Sequence, residues 1–298
     1  MSEPVTLTGL RGDNPLAFLA ALGALRVLSL VRPDNPPRMS WIIERGALRP
    51  VLHDFNGVDA SALPETIDAA LRDLCGPEPF QFARNTSVKP AVFARFVIEA
   101  ADRALPGDRR CADFAAAFGC EALTTRQGKA QDTALRTMSG AGHQHFVEFM
   151  RTLCEKTNAE HLREALFGPW RRQDGPPSMR WDPIDDRRYA LRWKNPSNEQ
   201  IRTVRGANRL AVEALPLFTT APAGGELRTT GFQRKTWTWP IWDAAVGVEA
   251  VRSLLTLAEL HTHAPDRRCL GAMGVAEVYR STRITVGKYR NFSPARPV

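Results

Sequence analysis

Val5-Thr6-Leu7-Thr8-Gly9-Leu10-Arg11-Gly12-Asp13-Asn14-Pro15-Leu16-Ala17-Phe18-Leu19-Ala20-Ala21-Leu22-Gly23-Ala24-Leu25-Arg26-Val27-Leu28-Ser29-Leu30 is the stretch on which the fold turns. Val5 to Leu10 reads as a short strand, and Gly12-Asp13-Asn14-Pro15 as the turn that follows it. Asn14 suits an N-cap, and Pro15 suits the first helical position, where its missing N–H has no intrahelical partner to lose. From Pro15 to about Leu30, a helix places Leu16, Leu19, Leu22 and Val27 near one apolar side. Ala17, Ala20, Ala21, Gly23 and Ala24 let another backbone come close. Such a helix belongs deep in a core, against a sheet or a second helix. Arg26 interrupts the apolar run Leu16 to Leu30, which suits a buried helix better than a bilayer span.

A hairpin is expected next, Ser40–Arg45 with Leu48–Asp54 across Gly46-Ala47, from its strand-like alternation. The middle is helical by period, near Ala62–Leu74, Ala91–Ala104, Cys111–Ala117, Phe146–Glu155 and Ala159–Phe167, and Gly168-Pro169 ends it. Strands return around Tyr189–Trp193, Leu227–Phe232, Trp237–Pro240 and Val275–Val286, with helices at Ala207–Leu215 and Val248–His261. The expected class is α+β: a strand–helix–hairpin packed with a helical middle, then a mixed part with several strands. A soft boundary near residue 170 divides a near-neutral part, 1–170, from a basic, Trp-rich part, 171–298, unless the whole is one domain.

Charge marks that boundary. Residues 1–170 carry 19 Lys/Arg and 20 Asp/Glu, whereas residues 171–298 carry 21 and 12. Arg187–Arg209 holds seven basic residues and one acid, Glu199, and Val278–Val298 holds five and none. Six of the seven tryptophans, Trp170, Trp181, Trp193, Trp237, Trp239 and Trp242, lie in or just before this half. Cations interleaved with aromatic rings suit a polyanion whose bases can stack; a merely basic surface is the plainer reading. Composition is that of a globular chain, 43% hydrophobic and 24% charged. The first ten residues lack a signal-peptide pattern, and five scattered cysteines without a CxxC pair indicate neither a disulfide framework nor a cysteine zinc site. A reducing cytoplasm is the expected location.

Three polar loops are candidate contacts to nucleic acid. The first runs Lys194-Asn195-Pro196-Ser197-Asn198-Glu199-Gln200, followed by Arg202, Arg205, Asn208 and Arg209. Asn and Gln can pair with adenine edges, and Lys or Arg with guanine or phosphate. A solvated loop leading to a helix, with Asn208 a structural contact, explains it equally well. Arg84-Asn85-Thr86-Ser87-Val88-Lys89-Pro90 and Arg126-Gln127-Gly128-Lys129 carry the same chemistry and the same ambiguity. Arg280, Arg283, Lys288 and Arg290 sit on or beside the last expected strand with no acid to balance them. Trp237 and Trp239, at strand period, and Trp242 after Pro240 read as packing, with stacking on bases the minority reading.

Enzyme signals are few. Asp182, Asp185 and Asp186 are the one acidic cluster of the basic half, and paired carboxylates can hold Mg²⁺ for phosphodiester cleavage. The same residues also read as a turn that neutralises itself against Arg187 and Arg188. His143/His145 and His261/His263 lack a third ligand nearby, so no metal site is expected. No phosphate-binding glycine loop or hydrolase motif occurs.

The opening Leu7-Thr8-Gly9-Leu10 with Asn14-Pro15-Leu16-Ala17-Phe18-Leu19-Ala20-Ala21-Leu22-Gly23-Ala24-Leu25-Arg26 resembles the amino terminus of large-subunit-like proteins from type I-G (formerly I-U) CRISPR operons. Phe167-Gly168-Pro169-Trp170, Ser178–Asp182, Arg188–Arg192, Gly206–Ala211 and Thr238–Trp242 resemble a small protein family of those operons, although this chain is much shorter than typical large subunits. The resemblance implies a non-catalytic subunit of a Cascade-like surveillance complex without a cofactor. Its partners would be guide RNA, target double-stranded DNA, the backbone and 5′-end subunits, and the helicase–nuclease. Such subunits test the motif flanking the target. Lys194, Asn195, Asn198 and Gln200 would then probe base edges, and Arg202, Arg205, Arg209, Arg280, Arg283, Lys288 and Arg290 would hold phosphate, with Arg84, Asn85, Lys89 and Lys129 as further contacts. Two rivals stay open: a metal-dependent nuclease at Asp182, Asp185 and Asp186, and a scaffold that grips protein partners with tryptophan and arginine.

Overall fold

A computed structural model of the chain describes residues 3–54, 59–139, 144–185, 202–286 and 289–298. Strand β1 (Val5–Thr6) is shorter than expected, because Leu7 onward turns into the approach to helix α1 (Pro15–Val31). The Asn14 side chain accepts from the Ala17 amide at 3.1 Å and Pro15 opens the helix. Strands β2 (Arg38–Glu44) and β3 (Ala47–His53) form the expected hairpin, and β1 completes a three-stranded antiparallel sheet in the order β1-β3-β2.

All five helices expected in the middle are present: α2 (Leu63–Asp73), α3 (Pro90–Ala104), α4 (Arg110–Phe118), α5 (Phe146–Lys156) and α6 (Ala159–Phe167). Between α4 and α5 lies an unexpected hairpin of β4 (Gly119–Thr124) and β5 (Ala130–Asp132). Its third candidate loop, Arg126–Lys129, is the turn of that hairpin, with Gly128 at φ +67. Three residues of β5 are too few to show a period of two.

The second half opens with α7 (Arg205–Glu213) and a hairpin of β6 (Thr220–Ala223) and β7 (Glu226–Thr229). Where one strand was expected over Leu227–Phe232, the chain breaks at Gly231 (φ +79) and restarts as β8 (Phe232–Gln233). Strand β9 (Thr236–Trp242) follows. The helix expected over Val248–His261 divides into α8 (Val248–Leu255) and a 3-10 turn at Ala258–His261. Helix α9 (Arg267–Ala272) precedes the long strand β10 (Val275–Val286) and the short strands β11 (Tyr289–Phe292) and β12 (Arg296–Pro297). These make an antiparallel sheet in the order β11-β10-β9-β8, with β12 on β10. The fold is mixed α+β. The strand expected at Tyr189–Trp193 lies outside the described residues. Among the described residues, no helix is long and apolar enough to cross a membrane.

Helix α1 is the hub. Its Phe18 ring stacks on Trp41 of β2 at 5.9 Å between centroids and on Trp239 of β9 at 5.5 Å, so it joins both sheets. Trp237, Trp239 and Trp242 are all buried in this core, as packing residues. The opposite side of α1 meets α7 backbone to backbone: a Cβ on Gly23 would lie 1.8 Å from the Leu210 carbonyl oxygen. The same core cluster takes in residues on both sides of position 170.

Helix α7 is buried on every side, polar residues included. Asn208, wholly buried, accepts from the Met179 amide at 2.8 Å and donates to Thr203 Oγ1 and the Val204 carbonyl, both at 2.9 Å. Its role is therefore structural. Asn208→Ala leaves the Met179 amide without its acceptor, which is expected to lower unfolding stability by about 1–3 kcal/mol. A denaturation midpoint equal to that of the parent chain would contradict this.

Candidate nucleic-acid interface

The structure separates the arginines expected on one phosphate-binding surface. Lys194, Asn195, Asn198, Gln200 and Lys288 lie outside the described residues. Arg202 is exposed and, among the described residues, makes no side-chain hydrogen bond or ion pair. Arg205 is half-buried, and its Nη1 sits 2.9 Å from His161 Nε2. Arg209 must be withdrawn as a phosphate contact. It is 1% exposed, donates to Glu213 Oε1 at 2.6 Å and to the Cys75 carbonyl at 2.8 Å. The apparent basic stripe on α7 is in part an internal ion network.

That network centres on Glu213, which no solvent reaches. Arg110 grips both its carboxylate oxygens, at 2.7 and 2.9 Å, and Arg26 reaches Oε2 at 3.2 Å. Burial alone would raise the carboxyl pKa, but the charges of Arg110 and Arg209 outweigh it and hold the group well below the usual carboxylate range. The adjacent Cys75 thiol is pushed up to about 12, by burial first and then by the Glu213 charge, so it is not a poised nucleophile.

In the Arg84–Pro90 loop Asn85 and Thr86 are committed inward, while Arg84 and Lys89 stay at the surface. Arg84 pairs with Glu148 at 2.8 Å, and Asn85 bonds His145 Nδ1 at 2.8 Å while accepting from the Phe146 amide at 2.8 Å. Asn85 thus fastens the start of α5, which corrects its assignment as a base contact. Lys89 and Lys129 are exposed. Arg280 is half-buried and partly engaged: its Nε donates to Thr238 Oγ1 at 3.3 Å and its Nη2 to the carbonyls of Leu260 and Thr262 at 3.1 and 2.9 Å.

Arg283 and Arg290 stand apart from these. The register Thr285↔Arg290 and Arg283↔Phe292 puts both on one face of the β10–β11 ladder. Arg283 donates through Nη1 to the Ala134 carbonyl at 2.8 Å, which brings it beside Arg136, a residue with no local sequence signal. The Arg283 Nε is buried with no hydrogen-bond partner, and Arg290 makes no ion pair among the described residues. Burial, and then the Arg290 charge, push the Arg283 guanidinium down to about 10. Burial, and then Arg136, lower that of Arg290 too. The carboxylate here is Asp132, and it is occupied by Thr86 Oγ1 at 2.7 Å and by Arg136, whose Nη2 lies 3.2 Å from Oδ1. Arg136 is spent on that carboxylate and on the Met138 carbonyl, at 2.6 Å, so among the described residues Arg283 and Arg290 have no carboxylate of their own, an arrangement that favours an added anion.

The acidic cluster offers no such opening. Asp182 is buried; its Oδ1 accepts from Asn14 Nδ2 at 3.1 Å and its Oδ2 from Arg172 Nε and Nη2 at 3.2 Å. That removes Asp182 from the proposed metal-binding trio. The side chain of Asp185, and Asp186 and His143 entirely, lie outside the described residues. Among the described residues no group of three His, Cys, Asp or Glu side chains could hold a metal ion.

Compared with known proteins, the chain matches no family model and no curated protein.

Proposed function

We propose that this chain is a non-catalytic, nucleic-acid-binding subunit of an RNA-guided CRISPR surveillance complex, and that Arg283 and Arg290 grip a sugar–phosphate backbone. The observation that carries the reading is the half-buried pair Arg283 and Arg290 beside the already engaged Asp132, with the Arg283 Nε unpartnered. Guanidinium is the group that phosphate oxygens match best, through parallel N–H donors. The sequence resemblance supplies the wider setting: guide RNA and target DNA as ligands, and the other complex subunits as neighbours.

The test is affinity for short RNA and for duplex DNA, by fluorescence anisotropy at several salt concentrations. Log affinity should fall linearly with log salt, each phosphate neutralised adding about 0.9 to the slope on duplex DNA. The double substitution Arg283→Gln with Arg290→Gln is expected to lower the slope by about two and to weaken all sequences alike. An unchanged slope in that variant, or a parent chain that binds neither nucleic acid, would overturn the assignment.

A further inference from the structure

A second concentration of arginine surrounds a cleft of about 500 Å³ in the region of the opening motif. Its walls come from three places: Thr8, Gly9, Arg11 and Asn14 of the β1–α1 connection, Arg45 and Arg49 of the β2–β3 hairpin, and the segment after α6 that carries Trp170 and Arg172. Among the described residues four arginines line it and no carboxylate does. Arg11 is paired with Asp13 at 2.6 Å, and Arg172 with Asp182 at 3.2 Å. Arg49 donates only to the Leu10 carbonyl, at 2.8 Å, and its pKa is lowered by burial and then by the Arg11 charge. Glu44 opposes that shift through space but makes no hydrogen bond to Arg49 among the described residues. Arg45 is exposed at the hairpin tip, with no ion pair among the described residues.

Backbone geometry indicates that these positions are specialised. Arg45 (φ +49) and Arg172 (φ +52) both hold the left-handed conformation, which Gly or Asn adopts at lower cost. Arg45 does so in the tight turn it makes with Gly46 (φ +73). Glycine makes the cleft possible: a Cβ on Gly9 would lie 2.6 Å from the Ala165 carbonyl oxygen and 2.7 Å from the Gly168 amide nitrogen. The Arg172 guanidinium lies 5.4 Å from the Trp170 ring centroid, which holds the indole at the cleft. Among the described residues Trp170 is the one tryptophan that is not buried.

We propose that this cleft holds one nucleotide of a single strand, its phosphate between Arg45 and Arg49 and its base against Trp170. The volume suits a nucleotide and is too small for a duplex. A flat indole beside guanidinium groups is the combination that single-strand sites use, because stacking accepts any base while cations hold the backbone. The inference rests on the nucleic-acid reading above, yet it uses none of the same residues.

The experiment uses the full chain with the octamers (rU)8 and (dT)8 and with a duplex, read by anisotropy and by tryptophan emission. Arg45 is exposed and makes no side-chain hydrogen bond or ion pair among the described residues, so folding of Arg45→Gln should persist, and the substitution is expected to weaken single-strand binding about tenfold while sparing duplex affinity. Octamer binding should change the tryptophan emission of the parent chain, and Trp170→Phe should abolish that change. Octamer affinity and emission indifferent to both substitutions, with binding lost in Arg283→Gln/Arg290→Gln, would overturn the cleft and leave the broader function standing. A parent chain that binds no octamer and no duplex would overturn both. Preference for (rU)8 or for (dT)8 would support the cleft and tell which strand occupies it.

Discussion

Glu213→Ala should cost about 3–5 kcal/mol of unfolding stability, the penalty typical of leaving buried charge uncompensated. Glu213 is the common acceptor for Arg26, Arg110 and Arg209, and it lies at 0% exposure. Without it, three guanidinium groups from α1, α4 and α7 are left together, and among the described residues Asp113, 3.4 Å from Arg26, is the one carboxylate still paired with any of them at closer than 4 Å. Against a typical total of roughly 5–15 kcal/mol, that loss removes a third or more of the stability. Arg209→Met should cost less, because Glu213 would keep two cationic partners and the methionine would fill much of the space. The check is urea denaturation followed by circular dichroism. A Glu213→Ala chain within about 1 kcal/mol of the parent would show that the network does not tie the helices together.

The same carboxylate sets a pH dependence of known sign. Its folded pKa is depressed below the ordinary value of 4.5, so its stabilisation is complete above that value and is lost as pH falls beneath it. Stability traceable to Glu213 should be flat from neutrality to about pH 5.5 and decline only in stronger acid. In Glu213→Gln that acid-side decline should be reduced, because the titrating group is gone.

Gly23→Val is the second large effect. The Cβ that any other residue adds at 23 meets the Leu210 carbonyl oxygen at 1.8 Å and its carbon at 2.6 Å, and both are backbone atoms that no rotamer change can move. Helices α1 and α7 would have to separate, opening the core on both sides of the contact. Overpacking of a tight core costs about 1–3 kcal/mol even where side chains can adjust, and here they cannot, so the cost should exceed that range. Gly271→Ala is the opposite case. Position 271 lies in α9, exposed, with nothing within 4 Å of its added Cβ, so alanine should stabilise by about 0.5–1 kcal/mol. Thermal unfolding of the two variants separates contact from propensity. Equal shifts would contradict the packing argument.

The elements readable in the sequence are those whose causes are local. Asn14 and Pro15 announce the start of α1 within four residues, and the small side chains after them forecast a close neighbour. The β2–β3 hairpin and the five middle helices follow from alternation and period. Trp237 and Trp239 were legible as core because large rings at strand spacing need a covered face. The elements that escaped are β4–β5, β6, β11, β12 and the six-residue helix α9, most of them too short for a period to show. Gly231 could not be told from an ordinary strand glycine until its φ was known.

Candidate-site residues were harder to read for a different reason. Arg209 and Arg283 look alike in the sequence: both are basic residues in a basic half. One meets Glu213 and the Cys75 carbonyl, and the other meets Ala134 and two more cations. Arg26 finds Glu213 from 187 residues away, and the cleft arginines converge from segments as distant as Arg11 and Arg172. Local composition by itself determined the helices, the main hairpin and the excess of positive charge. Which arginines were spent inside the fold and which were left for an anion was decided only by tertiary structure. The reason is physical: the energy of a charge depends on its distance to its partners and on its access to water, and chain order records neither.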